Sequence, residues 1–161
     1  MRPRSKKKFI VRECGRNEWA KFRRYHYLNH DIAQQAVCYG LYDQDNIIGF
    51  IAVIHFPHPK NSKIKRCSRL VILPDYQGIG LGTKFLNMIA NHYKKREYDF
   101  RIVTSAKNMV NTLYKSKEWI MVRYERTDPK RMKGMMPALK RSARTNCKTA
   151  SFKYIGDING K

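Results

Sequence analysis

Arg69-Leu-Val-Ile-Leu-Pro-Asp-Tyr-Gln-Gly-Ile-Gly-Leu-Gly-Thr83 carries in succession the signals of a strand, a glycine-rich turn and the start of a helix. Leu70 to Leu73 is a short aliphatic run. Pro74 stops it, because proline lacks the N–H that a ladder needs. The turn is Gln77-Gly78-Ile79-Gly80-Leu81-Gly82. Behind it, Leu81, Phe85, Met88 and Ile89 recur at three- and four-residue spacing, which predicts a helix with those residues on one face. This order of elements suits an anion. Glycines leave room for backbone N–H groups to converge, and the helix dipole adds about half a positive charge there. The expected guest is a phosphate or pyrophosphate; the alternative is a turn that binds nothing.

The spacing separates three phosphate-binding patterns. A Walker loop needs Gly-x-x-x-x-Gly-Lys-Ser/Thr, whereas here Thr83-Lys84 follows Gly82 in the reverse order. A dinucleotide fingerprint needs Gly-x-Gly-x-x-Gly, and Gly78-x-Gly80-x-Gly82 does not fit it. Gln77-x-x-Gly80-x-Gly82, entered from a strand through Pro74-Asp75-Tyr76, resembles the coenzyme A loop of the GNAT acyltransferases, Arg/Gln-x-x-Gly-x-Gly/Ala.

At 161 residues with 42% hydrophobic content, one domain with a real core is expected. No apolar run approaches the roughly 20 residues of a membrane span. The start, Met1-Arg-Pro-Arg-Ser-Lys-Lys-Lys8, is basic and lacks an apolar signal core. A cytoplasmic protein is expected, or a nuclear one if the host has a nucleus. Cys14, Cys38, Cys67 and Cys147 are far apart, and reduced thiols are expected rather than disulfides. His55, His58 and Cys67 lack a fourth ligand and are interrupted by Pro57, so no metal site is expected.

Charge is the second strong signal. Lysine and arginine total 34 against 12 acids, a net charge of +22. Such a field recruits polyanions: nucleic acid first, acidic proteins or anionic membrane second. Solubility or crowding adaptation is the bland alternative.

Residues 1–8 read as a basic arm, and 9–161 as one domain with a basic section at about 126–150. Phe9 to Glu13 reads as a strand, and Asn17 as the cap of a helix beginning at Glu18. Trp19, Phe22, Tyr25, His26 and Tyr27 line its inner side and the residues beyond. The cluster Phe22, Tyr25, His26 and Tyr27 suits base stacking, with His26 able to move protons near neutral pH; aromatic core packing is the competing explanation. Val37–Tyr42 and Ile47–His55 form a predicted hairpin. Strands are expected at Cys67–Leu73, Phe100–Thr104, Trp119–Tyr124 and Ala150–Ile155, and a short helix at Ser105–Lys117 with Met109, Leu113 and Tyr114 inward. Leu113-Tyr114-Lys-Ser-Lys-Glu118-Trp119 holds the GNAT frame Leu-Tyr-x-x-x-Gly-Phe, with Glu118 where glycine is usual.

The resemblance covers roughly residues 9–124. It implies an α+β GNAT fold, a twisted mixed sheet whose two central strands splay apart, flanked by helices. Coenzyme A would enter the splay. The backbone of Leu70, Val71 and Ile72 would pair with its pantetheine amides, and the amides of Gly78, Ile79, Gly80, Leu81, Gly82 and Thr83 would hold its pyrophosphate. Gln77 would start and cap the turn, and Ser105 or Asn108 would orient the cofactor. Tyr114 is the implied general acid. Glu13, His26, His55 and His58 stay open as bases, with His26 preferred, and Tyr25, Tyr27 and His55 border the implied acceptor site.

The expected activity is acyl-CoA-dependent N-acylation, with acetyl-CoA as donor and a nucleic-acid acceptor, DNA ahead of RNA. The Tyr25-His26-Tyr27 cluster, a GNAT-like core and a basic C-terminal section together also resemble the phage Mom-type proteins, GNAT-like enzymes that modify adenine in DNA. That acceptor implies base flipping. Transfer to aminoacyl-tRNA, to a protein or small amine, and a non-catalytic nucleic-acid-binding protein remain alternatives.

Overall fold

Residues 8–26, 31–126 and 147–156 are described by the structure, a computed structural model. Residues 1–7 of the basic arm, Tyr27 and residues 127–146 of the basic section lie outside the described residues.

Strands β1 (Phe9–Cys14), β2 (Val37–Asp43), β3 (Asn46–His55), β4 (Ile64–Ile72), β5 (Asp99–Thr104), β6 (Trp119–Arg126) and β7 (Lys148–Tyr154) form one sheet in the order β1-β2-β3-β4-β5-β7-β6. All neighbours are antiparallel except β4 and β5. Helices α2 (Leu81–Lys94) and α3 (Lys107–Lys115) pack on one face, and the short α1 (Trp19–Phe22) on the other. The β2–β3 turn is tight because Gln44 takes a left-handed conformation, φ 56°.

Two apolar clusters result. The main one joins Ile51, Val53, Cys67, Phe85, Leu86, Ile89, Phe100, Leu113 and Phe152. The second joins Trp19, Phe22, Phe50, Ala52 and Val71. Each fully buried phenylalanine or leucine contributes about 1.5–3 kcal/mol.

A bulge in β4 sets the site. Ala52 pairs with Arg69, but Val53 pairs with Cys67, so Ser68 is the extra residue. A bulge reverses the facing of the residues beyond it. Cys67 therefore enters the main core, while Arg69 turns to the opposite face, 5.8 Å from the Trp19 ring. The β4–β5 ladder ends at the same place, with Cys67 beside Ile102, although β4 continues to Ile72. The two strands part there, as a splayed sheet requires.

Three local expectations need correction. Asn17 lies inside a 3-10 turn, Arg16–Glu18, and no side chain caps α1 or that turn. Met88 is 54% exposed, and Leu86, Ala90 and Tyr93 complete the buried face of α2 instead. Tyr114 is 70% exposed rather than inward; Leu113, one residue and about 100° away on the helix, takes the core position.

Cys14, Cys38, Cys67 and Cys147 form no disulfide with one another. Burial pushes the Cys67 thiol up to about 12 and leaves it protonated and inert.

Asp99 ties the sheet together at the start of β5. It accepts two hydrogen bonds from Arg101, at 3.1 and 3.0 Å, and pairs with Lys153 at 3.2 Å. Burial alone would raise its carboxyl pKa; the bonds from Arg101 and Lys153 outweigh this and hold it below the ordinary 3.8. A depressed folded-state pKa contributes stability above the unfolded value, and that contribution is lost as pH falls through the folded one. Acid titration of Asp99→Asn should therefore show a weaker stability loss below about pH 4 than wild type.

Candidate functional site

The end of β4, the glycine turn and the start of α2 are anchored independently of any ligand. The Leu73 N–H donates to Ile48 O at 2.9 Å, holding the strand end against β3. Pro74–Tyr76 then makes a 3-10 turn, and the Tyr76 hydroxyl donates to Asp43 Oδ2 at 3.1 Å. Gln77 Nε2 donates to Ile72 O at 2.7 Å, so its side chain braces the turn against the strand that leads into it.

Above this base the backbone is bare. Gly78 and Gly80 sit at φ 80° and 77°, where a Cβ is strained. A Cβ built on either would meet nothing within 4 Å, so the space over the turn is open. The Lys84 N–H is bonded to Gly80 O at 3.2 Å. The amides of Leu81, Gly82 and Thr83 precede it in the first turn of α2 and have no carbonyl behind them within the helix. Orphan amides, a helix N-terminus and an uncluttered space fit a pyrophosphate. The backbone edge of β4 over Leu70, Val71 and Ile72 lies past the last β5 pairing and fits the amides of an extended arm.

The other side of the opening belongs to β5 and α3. Thr104 Oγ1 accepts the Ala106 N–H at 3.2 Å and turns the chain into α3. Asn108 is exposed in the first turn of that helix, and Tyr114 is exposed near its end. Glu118 replaces a glycine without strain, since the positive-φ non-glycine residues are Gln44 and Glu97. Its carboxylate is a structural hub: Asn87 Nδ2 donates to it, as does the Tyr154 hydroxyl at 3.4 Å, and Trp119 Nε1 donates to Asn87 Oδ1 at 2.8 Å. Glu118→Ala should lower stability by about 1–3 kcal/mol through the donors it leaves behind. Thermal denaturation checks this, and a Tm within a degree of wild type would refute the hub.

On the face away from α2, the His26 ring stands edge-on to Trp19 with centroids 5.8 Å apart. Trp19 thus meets both His26 and Arg69. Tyr25 is 39% exposed, and the Arg24 guanidinium lies 4.7 Å from its ring. His55 is exposed at the end of β3, opposite Lys65, on the paired side of the bulge. Arg69 is the neighbour that sequence reasoning missed. The period-two pattern of β4 places Arg69 on the face of Cys67, and only the Ser68 bulge, visible in the β3 pairing, moves it.

Residues 7–134 match the acetyltransferase (GNAT) domain family. No curated protein matches the chain by sequence. Solved structures share the fold at low identity. A Bacillus subtilis acetyltransferase in complex with CoA superposes with TM-score 0.68 at 12% identity, covering 91% of this chain and 98% of that one. A ribosomal-protein-alanine N-acetyltransferase from Escherichia coli gives 0.60 at 13% identity, covering 96% and 99%. A GNAT family acetyltransferase from Elizabethkingia anophelis with acetyl-CoA bound gives 0.61 at 11%, covering 92% and 98%. The family match spans most of the chain, and the sheet opens beside a bare glycine turn: the chain belongs to the GNAT family of acetyltransferases.

Proposed function

We propose that this GNAT protein is an acetyl-CoA-dependent N-acetyltransferase whose acceptor is carried by nucleic acid. Adenine in DNA, as for the phage Mom-type proteins, is the acceptor we place first, ahead of RNA. The observation that carries the acceptor class is charge: 34 basic against 12 acidic residues is far more than one anionic cofactor requires.

Bound acetyl-CoA supplies an acetyl group activated as a thioester. Amides of Gly78, Ile79, Gly80, Leu81, Gly82 and Thr83 hold its pyrophosphate, and Gln77 keeps the turn in place. The open edge at Leu70, Val71 and Ile72 takes the pantetheine amides, and Asn108 orients the thioester end. Tyr25, Tyr27 and His55 border the acceptor. The acceptor amine loses one proton as its new N–C bond forms, and the imidazole of His26 accepts it. The Tyr114 hydroxyl gives one proton to the departing thiolate.

The test is to express the protein beside a Gly80→Glu control, digest cellular DNA and RNA separately, and compare nucleoside masses. A Gly80-dependent acetyl adduct on deoxyadenosine is expected. An adduct confined to RNA would move the acceptor to RNA, and no adduct in either pool would overturn the nucleic-acid acceptor.

A further inference from the structure

The registers of β4, β5 and β7 bring three cations into one cross-strand row. Arg66 lies beside Arg101, and Arg101 beside Lys153. Their sequence neighbours Cys67, Ile102 and Phe152 enter the main core, so the three cations point to the opposite face. The Ser68 bulge turns Arg69 to that same face. Among the described residues, α1 packs on the β2–β4 part of this face, and α2 and α3 belong to the other side.

Like charges directly opposite one another on a sheet repel. One carboxylate, Asp99, serves both Arg101 and Lys153. The strands add little else: from residue 46 to residue 117, which includes β4 and β5, the acids are Asp75, Glu97 and Asp99, and β7 itself holds none. Glu97 lies by Lys63. The row is therefore a line of positive charge beside the point where β4 leaves β5.

We propose that Arg66, Arg101 and Lys153 seat the phosphate backbone of a single-stranded DNA segment and so deliver the acceptor base to the opening between β4 and β5. The proposal rests on the nucleic-acid acceptor argued above. Neighbouring strands are about 4.8 Å apart, so the row spans roughly 10 Å. That length suits three or four consecutive phosphates of one stacked strand, which rises about 3.4 Å per nucleotide along its axis. Two guanidinium forks match phosphate oxygens, and Phe56, 5.4 Å from the Arg66 guanidinium, offers a ring on which a base can stack. An unpaired strand also presents its bases without flipping.

The test is fluorescence anisotropy of a labelled single-stranded oligodeoxynucleotide against the full chain, across salt concentrations. Wild type should lose affinity steeply, by about 0.7 log unit per phosphate contact per tenfold salt. The triple variant Arg66→Gln, Arg101→Gln, Lys153→Gln should have a slope shallower by about 2. Asp99→Asn should move the opposite way, binding about two- to threefold tighter because the row loses its counter-charge. A triple variant with the wild-type slope, or an Asp99→Asn variant that weakens as the triple does, would overturn the row. A flat wild-type curve would instead overturn the nucleic-acid acceptor itself. Tighter, row-dependent binding of the matching duplex, of RNA or of polyglutamate would overturn the single-stranded DNA assignment.

Discussion

Gly80→Glu is expected to abolish the protection that coenzyme A gives against heat, and with it acetyl transfer. Ligand at a hundred times its dissociation constant stabilises by about 2.7 kcal/mol, a Tm rise on the order of 5–10 °C for a domain of this size. The variant should show none of it. A carboxylate at Gly80 would project into the open space over the turn, beside the first amides of α2, where it would compete with the proposed pyrophosphate. Gly80→Ala is the necessary control. Its Cβ meets no neighbour within 4 Å, yet at φ 77° it carries the left-handed penalty of about 1–2 kcal/mol. Both variants should lose that stability without ligand, while only the glutamate should lose protection. Equal protection of Gly80→Glu and wild type would mean that the turn is not the anion site.

Tyr114→Phe should cut kcat by roughly 10²–10⁴-fold and leave coenzyme A affinity within about twofold. The hydroxyl belongs to a residue that is 70% exposed, so its removal should change stability by no more than about 0.5 kcal/mol. The core position in this part of α3 is already filled by Leu113. Thermal protection by coenzyme A together with steady-state kinetics separates the outcomes. A parallel loss of affinity and kcat would make Tyr114 a structural residue, and full activity would remove it from catalysis.

Much of the frame was legible because its signals are local. The aliphatic run ended by Pro74 is the second half of β4, and the glycine turn leads straight into α2. The β2–β3 hairpin falls within a residue of its expected bounds, because alternation and a polar turn are read within a few positions. The face of α2 was read only in part. Leu81, Phe85 and Ile89 are buried, but helical spacing does not say how wide the covered stripe is, and Met88 fell outside it. Tyr114 failed for a related reason: on α3 only the sheet beneath decides which apolar neighbour turns inward.

Glu118 shows the limit of pattern matching in the other direction. A glycine in the family's frame suggests a turn that needs one, but this turn has no positive φ at that residue. Its carboxylate instead collects Asn87 from α2 and Tyr154 from β7, partners 31 and 36 residues away.

By itself, the sequence determined the order of strands and helices, the bare glycine turn and the large positive charge, since each is written in neighbouring residues or in composition. Tertiary structure alone decided the Ser68 bulge, the meeting of His26 and Arg69 at Trp19, and the alignment of Arg66, Arg101 and Lys153. The physical reason is register. Which residues lie side by side in a sheet depends on pairing between distant strands, and one extra residue in one strand reverses the facing of every residue beyond it.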